Sequence, residues 1–396
     1  MRIGFVSAWN ERGSSYVTKQ YMEALSENNE LFLYERGSDN NLFIKHNLKL
    51  SICHGLKLGG TRINFRHFKR WYSKNKIDIL FFNEQHDFDT VFKTKKDNST
   101  IIVGTYVDYY KKSWIPFFKL YDFLICNTMR HFNVFEKLGN AFFVRWGTDV
   151  SLFNNEKVTK NNSYITFFHS AGMSFRKGTR ELIDVFYSGH FGKKSKLIIH
   201  TQIPIKNFTD LTVDELAQNN IEIIEKTVPA PGLYHMGDVY VYPTSLDGLG
   251  LTIYEALSCG MPVITTDCQP MNEAVNNDVG RLIKVSNFIS RDDGYYWPLC
   301  VIDQESLASA LSYYINNNFD NQRLNARKRA VELYDWGKQK SIVRDIFANA
   351  SRTKITQSEC KNIEKKLFSL RKIKRKELFL DILPDFFVSF IRNLKD

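Results

Sequence analysis

The chain is poor in several things, and each absence narrows its class. Its six cysteines (Cys53, Cys126, Cys259, Cys268, Cys300 and Cys360) are scattered, with no CxxC pair and no metal-ligand spacing. That excludes a disulfide framework or zinc module and fits reduced thiols in a cytoplasmic protein. No apolar run approaches the length needed to span a bilayer. There is no clustered His, Cys or Asp set to build a metal site, no recognised nucleic-acid motif and no internal sequence repeat. Met1–Ser7 reads as a strand from the first residue, an expectation that leaves no place for a signal peptide. Acids are also in deficit: 43 Asp and Glu against 54 Lys and Arg, a formal charge of +11.

What is present suits packed α/β domains. At 396 residues with 43% hydrophobic and 14% aromatic content, the chain has enough for two cores. Short apolar runs at Ile3–Ser7, Leu31–Tyr34, Ile79–Phe82, Ile101–Thr105, Phe123–Cys126 and Ala141–Val144 alternate with amphipathic stretches. This is the pattern of a doubly wound parallel sheet. A polar run, Asn154–Ser163, reads as a linker. A second alternation follows at Tyr164–His169, Lys196–His200, Ile221–Ile224, Val239–Tyr242, Val263–Thr266 and Arg281–Val285. The expected division is a first Rossmann-like domain over 1–150 and a second over 151–335. A helix over 336–350 then crosses back, and 351–396 form a basic amphipathic extension.

The most informative segment is 241–267, VYPTSLDGLGLTIYEALSCGMPVITTD. A strand enters a loop loosened by Gly248 and Gly250, a helix follows, and a second strand comes after Gly260 and Pro262. Such a unit aims backbone N–H groups and a helix N-terminus at one point, where a phosphate-bearing ligand is favoured. Asp247 and Glu255 flank the loop with seven residues between them. The stretch resembles the acidic-x7-acidic signature of retaining GT-B glycosyltransferases, in particular the family 4 group, with Asp247 where the family usually has Glu. Cys259-Gly260-Met261-Pro262-Val263-Ile264 is similar to the family's small-Gly-x-Pro-Val-Ile run. Trp146–Phe153 resembles its interdomain hinge through Gly147, Asp149 and Phe153. Residues 335–350 resemble its late helix, which begins near a Trp.

The resemblance implies roles for particular residues. Glu255 would hold ribose hydroxyls of a nucleotide sugar, and Asp247 hydroxyls of the transferred sugar. The Gly248, Leu249, Gly250, Leu251 and Thr252 amides would meet the distal phosphate and the sugar. Arg176 and Lys177, before Gly178 and a helix-like Thr179–Tyr187, suit a diphosphate. The family's usual Arg five residues before that Lys is here Gly172, which leaves two readings: Arg176 supplies the charge from a neighbouring place, or the leaving group is held less tightly. His169 is a candidate near the phosphates. The family's first-domain His is missing from Ile101–Asp108, leaving Asp108, Tyr106 or, upstream, His86 for its position. The resemblance also implies no metal and no cofactor beyond the nucleoside-diphosphate-sugar itself. Two alternatives keep the fold: a nucleotide-sugar-binding regulatory subunit without transfer, and a GT-B nucleotide-sugar epimerase.

Two basic, aromatic-rich segments, 61–76 and 351–396, bear on the acceptor. Thr61–Lys76 holds Arg62, Arg66, Lys69, Arg70, Lys74 and Lys76 with no acid, and Phe65, Phe68, Trp71 and Tyr72 recur at helical spacing. Residues 351–396 carry 12 Lys and Arg against 6 Asp and Glu. Cations beside aromatic anchors suit an anionic membrane surface. They point to peripheral membrane contact at its inner face and a glycan or lipid-linked acceptor, with no nucleic acid.

Overall fold

The computed structural model describes residues 1–10, 13–36, 47–56, 58–97, 99–106, 109–154 and 164–382, with side chains through 370. Seven strands form the first sheet: β1 (Arg2–Ser7), β2 (Glu30–Glu35), β3 (Leu50–His54), β4 (Ile79–Asn83), β5 (Ile101–Thr105), β6 (Phe123–Cys126) and β7 (Ala141–Phe143). Their order is β3-β2-β1-β4-β5-β6-β7, and every pairing is parallel. The second sheet holds β8 (Ile165–Gly172), β9 (Ser195–Thr201), β10 (Ile221–Glu225), β11 (Val239–Tyr242), β12 (Val263–Thr266) and β13 (Gly280–Ile283). Its order is β10-β9-β8-β11-β12-β13, again all parallel. Helices cover both faces of each sheet, which is why the central strands read as unbroken apolar runs such as Ile79–Phe82, all fully buried. Both sheets reverse strand order once, at β1/β4 and at β8/β11. Loops leaving the carboxyl ends of strands at such a switch point bound a crevice.

The two domains are stitched together where the chain crosses between them. Thr148 pairs with Asp335. The Thr148 amide donates to Tyr334 O at 2.7 Å, and the Trp336 amide donates to Thr148 O at 2.9 Å. Gly147 permits this approach, because a Cβ there would lie 2.3 Å from Tyr334 O. The helix Trp336–Ala348 then lies on Gly13–Leu25 of the first domain. The Trp336 indole donates to Gln20 O at 3.2 Å, and its ring meets Trp146 at 5.0 Å between centroids.

Two elements escaped the sequence pattern. β3 is an exposed edge strand without an apolar run. After β13 the chain forms an antiparallel hairpin, β14 (Val285–Ile289) and β15 (Leu299–Ile302), in place of one strand running to Val285. The tip of this hairpin reaches the first domain. The Tyr296 amide donates to Tyr110 O and Lys111 Nζ donates to Asp293 O, both at 2.8 Å.

The basic segments need a correction. Within Thr61–Lys76 a helix runs from Phe65 to Lys74, capped by the Asn64 side chain, which accepts from the His67 amide at 3.1 Å. Phe68, Trp71 and Tyr72 are buried, Phe68 and Trp71 against Tyr34, Phe68 also against Phe82, and Tyr72 against Phe68, so they are core residues and not surface anchors. Arg66, Lys69, Arg70 and Lys74 occupy the exposed face. The last helix, Gln357–Ile382, buries Ile363 and Leu367 against the same core. Ahead of it Lys95 and Asp122 form a buried ion pair at 2.5 Å, and the Thr353 amide donates to the Asp122 carboxylate at 2.7 Å.

Candidate active site

The loops leaving β8 and β11 at the switch point carry Arg176, Lys177 and Asp247. Gly172 ends β8 with φ +57°. Ser174 then accepts from the Arg176 amide at 3.3 Å and starts a single 3-10 turn, Phe175–Lys177. Gly178, at φ +73°, begins the helix Thr179–Ser188. A Cβ at Gly178 would lie 2.1 Å from Pro243 O, so glycine lets the two loops touch. They are also hydrogen-bonded: Arg176 O accepts from the Thr244 hydroxyl and the Ser245 amide, each at 2.8 Å.

This contact brings Lys177 against Asp247. The Lys177 ammonium donates to an Asp247 carboxylate oxygen and to the Tyr242 hydroxyl, which itself donates to Asp247. The other carboxylate oxygen accepts the amides of Leu249 and Gly250 at 3.1 and 3.0 Å. Burial alone would raise the Asp247 pKa. Lys177, Tyr242 and the Gly250 amide together hold it well below the ordinary carboxylate range. Asp247 is therefore an anion across the physiological range, with the Lys177 ammonium held against it.

Glu255 lies on the next helix, Leu251–Ser258, whose N-cap Gly250 has φ +70°. It accepts a hydrogen bond from the Tyr234 hydroxyl. Burial raises the Glu255 pKa, against the pull of Tyr234 and Lys177. Glu255, Leu251 and Thr252 face a cavity of about 320 Å³ between the domains. Tyr16 and Gln20 wall it from the first domain, the hinge Trp146–Asp149 closes one end, and Ser170, His200 and Gly232–Tyr234 complete the second-domain side. Asp247 and Lys177 are not among its lining residues; they pair on the loops just ahead of the helix that carries Glu255, and the Lys177 charge acts on Glu255.

The remaining residues expected at the site divide sharply. His169 is fully buried below it. Its Nδ1 bonds Val241 O and its Nε2 bonds the Thr179 hydroxyl, both at 2.8 Å, so the ring tethers the β8 loop and does not reach a ligand. Tyr106 is also excluded from the cleft. It is 2% exposed, its hydroxyl bonds Gln85 O at 2.5 Å and Tyr121 at 2.6 Å, and burial pushes its pKa far up. His86 is half-buried at the end of β4 among Tyr109, Trp114 and Tyr295. Asp108 lies outside the described residues. Arg176 is half-buried on the 3-10 turn beside Lys177.

Sequence reasoning missed Arg130 and Glu273, which join the domains beside the acidic loop. The helix Met129–Phe135 is capped by Thr128 and by Glu273 of the other domain, whose carboxylate accepts the Met129 and Arg130 amides at 2.7 and 2.9 Å. Arg130 is 5% exposed and points at the loop after β11. Thr128 as a cap is readable locally, but no local pattern reveals a partner more than a hundred residues away.

Residues 152–330 match the family model described as glycosyl transferases group 1. No curated protein matches the chain. Solved structures do, at low identity. Sucrose-phosphate synthase from Thermosynechococcus elongatus superposes with a TM-score of 0.69 at 16% identity, over 88% of this chain and 99% of that one. Anabaena Alr3699/HepE in complex with UDP and glucose gives 0.68 at 14% identity, over 88% and 100%. The lipopolysaccharide outer core galactosyltransferase WaaB gives 0.64 at 14% identity, over 88% and 99%. The chain thus has the two-domain GT-B fold, and residues 152–330, within its second domain, match the glycosyl transferases group 1 model.

Proposed function

We propose that this protein transfers a sugar from a nucleoside-diphosphate-sugar to an acceptor held by the first domain, with retention of anomeric configuration. One observation carries the reading: Glu255, on the helix Leu251–Ser258, lines the interdomain cavity within the electrostatic reach of Lys177, which pairs with Asp247 on the loop ahead of that helix. The nucleoside occupies the cavity, with its ribose hydroxyls donating to Glu255. The diphosphate lies toward Lys177 and the helix N-terminus. As the glycosidic bond breaks, negative charge grows on the leaving diphosphate, and fixed donors already aimed there stabilise it without reorganising. Lys177 and Arg176 supply that positive charge, which is the basis for proposing a reaction independent of metal. Among the described residues no group of three or more His, Cys, Asp and Glu side chains is placed to hold an ion. Asp247, kept anionic, accepts from hydroxyls of the transferred sugar.

Uridine nucleotides are the first donors to test, because Alr3699/HepE was solved with UDP and with UDP-glucose. Calorimetric titration with UDP, GDP, ADP, CDP and TDP, with and without EDTA, should find one nucleotide bound and chelation without effect. Binding that requires added metal would overturn the metal-independent reading.

A lipid-linked or cell-envelope glycan is the proposed acceptor class, and the inner face of the membrane the proposed place of work. Among the described residues no helix is long and apolar enough to cross a membrane. Support comes from the meeting of the two basic segments. Lys361 and Lys365 of the last helix line a groove of about 810 Å³ with Lys69, Lys93 and Lys96 of the first domain, which pair with Asp97, Asp89 and Glu364 in the same groove, and Phe368 is 67% exposed at its edge. Sedimentation with anionic vesicles should fall when Lys361 and Lys365 are both changed to Glu, and undiminished sedimentation would remove this face from the proposal.

A further inference from the structure

The loop that carries Asp247 is held from the opposite domain. The Arg130 guanidinium donates to Asp247 O at 2.6 Å and reaches Gly248 O at 3.4 Å, with a third bond to Gln269 O at 3.0 Å. Its position is itself fixed. Glu273 anchors the first amides of its helix, and the Trp297 ring of the β14–β15 hairpin lies 4.7 Å from the guanidinium carbon. That hairpin is tied to the same loop, where the Cys300 amide donates to Ser245 O at 2.8 Å.

Peptide geometry gives this arrangement a consequence. In a trans peptide the carbonyl of one residue and the amide of the next point in opposite directions. Drawing the Asp247 and Gly248 carbonyls toward Arg130 therefore turns the Gly248 and Leu249 amides away from it. The Leu249 amide, so turned, donates to the Asp247 carboxylate at 3.1 Å, next to the Gly250 amide at 3.0 Å. With one carboxylate oxygen held by these amides, the other is presented to Lys177. We infer that Arg130 is a positioning residue for the reaction: across the domain interface it sets the peptide planes of residues 247–249, and through them the carboxylate of Asp247. The catalytic consequence rests on the transfer reading above. On this account the acidic loop is aligned only when the domains are closed on each other, so the competent site belongs to both.

The test uses the full chain with Arg130→Met and Arg130→Lys. Amide hydrogen exchange is followed in the segment 245–252, with 165–172 as a control. Arg130→Met should speed exchange in 245–252 at least tenfold while 165–172 keeps its wild-type rate, and Lys, a single mobile donor, should fall between. In turnover of the donor selected by the nucleotide titration, Arg130→Met should lower kcat at least thirtyfold with KM within threefold, and Lys should recover a tenth of the wild-type rate or more. Unchanged exchange in 245–252, or a kcat equal to wild type, would overturn the assignment. Should Arg130→Met fail to fold, Trp297→Leu releases the guanidinium from its other side and should speed the same exchange about threefold, with no change counting against the proposal. If the wild-type chain turns over no donor, the transfer reading fails, and the exchange result still decides whether Arg130 positions the loop.

Discussion

Changing Glu255 to Gln should move stability and nucleotide affinity in opposite directions. In the unliganded chain Glu255 is kept partly from water, and its raised pKa records that its charged form is disfavoured there, first by burial and only partly offset by Tyr234 and Lys177. A neutral amide of the same shape relieves that cost and still accepts from the Tyr234 hydroxyl. Stability at pH 7 should therefore hold or rise by up to about 1 kcal/mol, as measured by denaturant unfolding. Affinity should fall. Ribose hydroxyls donating to a carboxylate make charge-assisted bonds, each worth about 1.5–3 kcal/mol against about 1 kcal/mol for a neutral acceptor. The difference, about 0.5–2 kcal/mol, is a loss of roughly 2- to 30-fold in Kd by calorimetry with the nucleotide the wild type binds. An unchanged Kd would remove Glu255 from the nucleoside site. A drop in stability above about 1 kcal/mol would mean that Glu255 is an element of the fold and that the reasoning from its pKa is wrong.

Three further outcomes follow from single features of the structure. The pKa of His169 is lowered to about 4, by burial against the opposing bond to Val241 O, so the folded chain keeps the ring neutral while the unfolded chain takes a proton below about pH 6.5. Its stabilising share is complete above pH 6.5 and lost as the pH falls toward 4, about 3 kcal/mol in all; His169→Gln should flatten unfolding free energies across that window, and an equally steep profile would refute it. Gly178→Ala places a Cβ 2.1 Å from Pro243 O at φ +73°, so a loss above about 3 kcal/mol is expected in denaturant melts of the second domain, and a neutral effect would contradict the loop contact. Asp122→Ala strands the buried Lys95 ammonium and frees the Thr353 amide, for an expected cost of about 3–5 kcal/mol with early protease nicking near 351–356; a loss under about 1 kcal/mol would contradict the pairing.

The parts of this molecule legible in its sequence are those written in local periods. Strands buried on both faces announce themselves as apolar runs, so both parallel sheets were readable, whereas β3, exposed on most of its residues, gave no such run. The acidic spacing around Gly248 and Gly250 located the loop after β11, because a glycine-opened turn between a strand and a helix has a fixed aim. What sequence hides is which atoms a side chain finds. His169 sits where a ligand residue would be plausible, yet two hydrogen bonds spend both its nitrogens inside the fold. Phe68, Trp71 and Tyr72 have a spacing that suits either an interior or a membrane, and their burial in one cluster with Tyr34 and Phe82 decides for the interior. Arg130 and Glu273, about 140 residues apart, had no local signal at all.

The central claim is that this cleft breaks a nucleoside-diphosphate-sugar at the place where Lys177 and Asp247 meet. The most direct measurement is release of nucleoside diphosphate from a panel of UDP-, GDP-, ADP-, CDP- and TDP-sugars by the wild-type chain and by Lys177→Met, in the presence of EDTA. Turnover of one donor by the wild type, reduced at least a hundredfold in Lys177→Met, is the predicted result. Equal release by both proteins would contradict it.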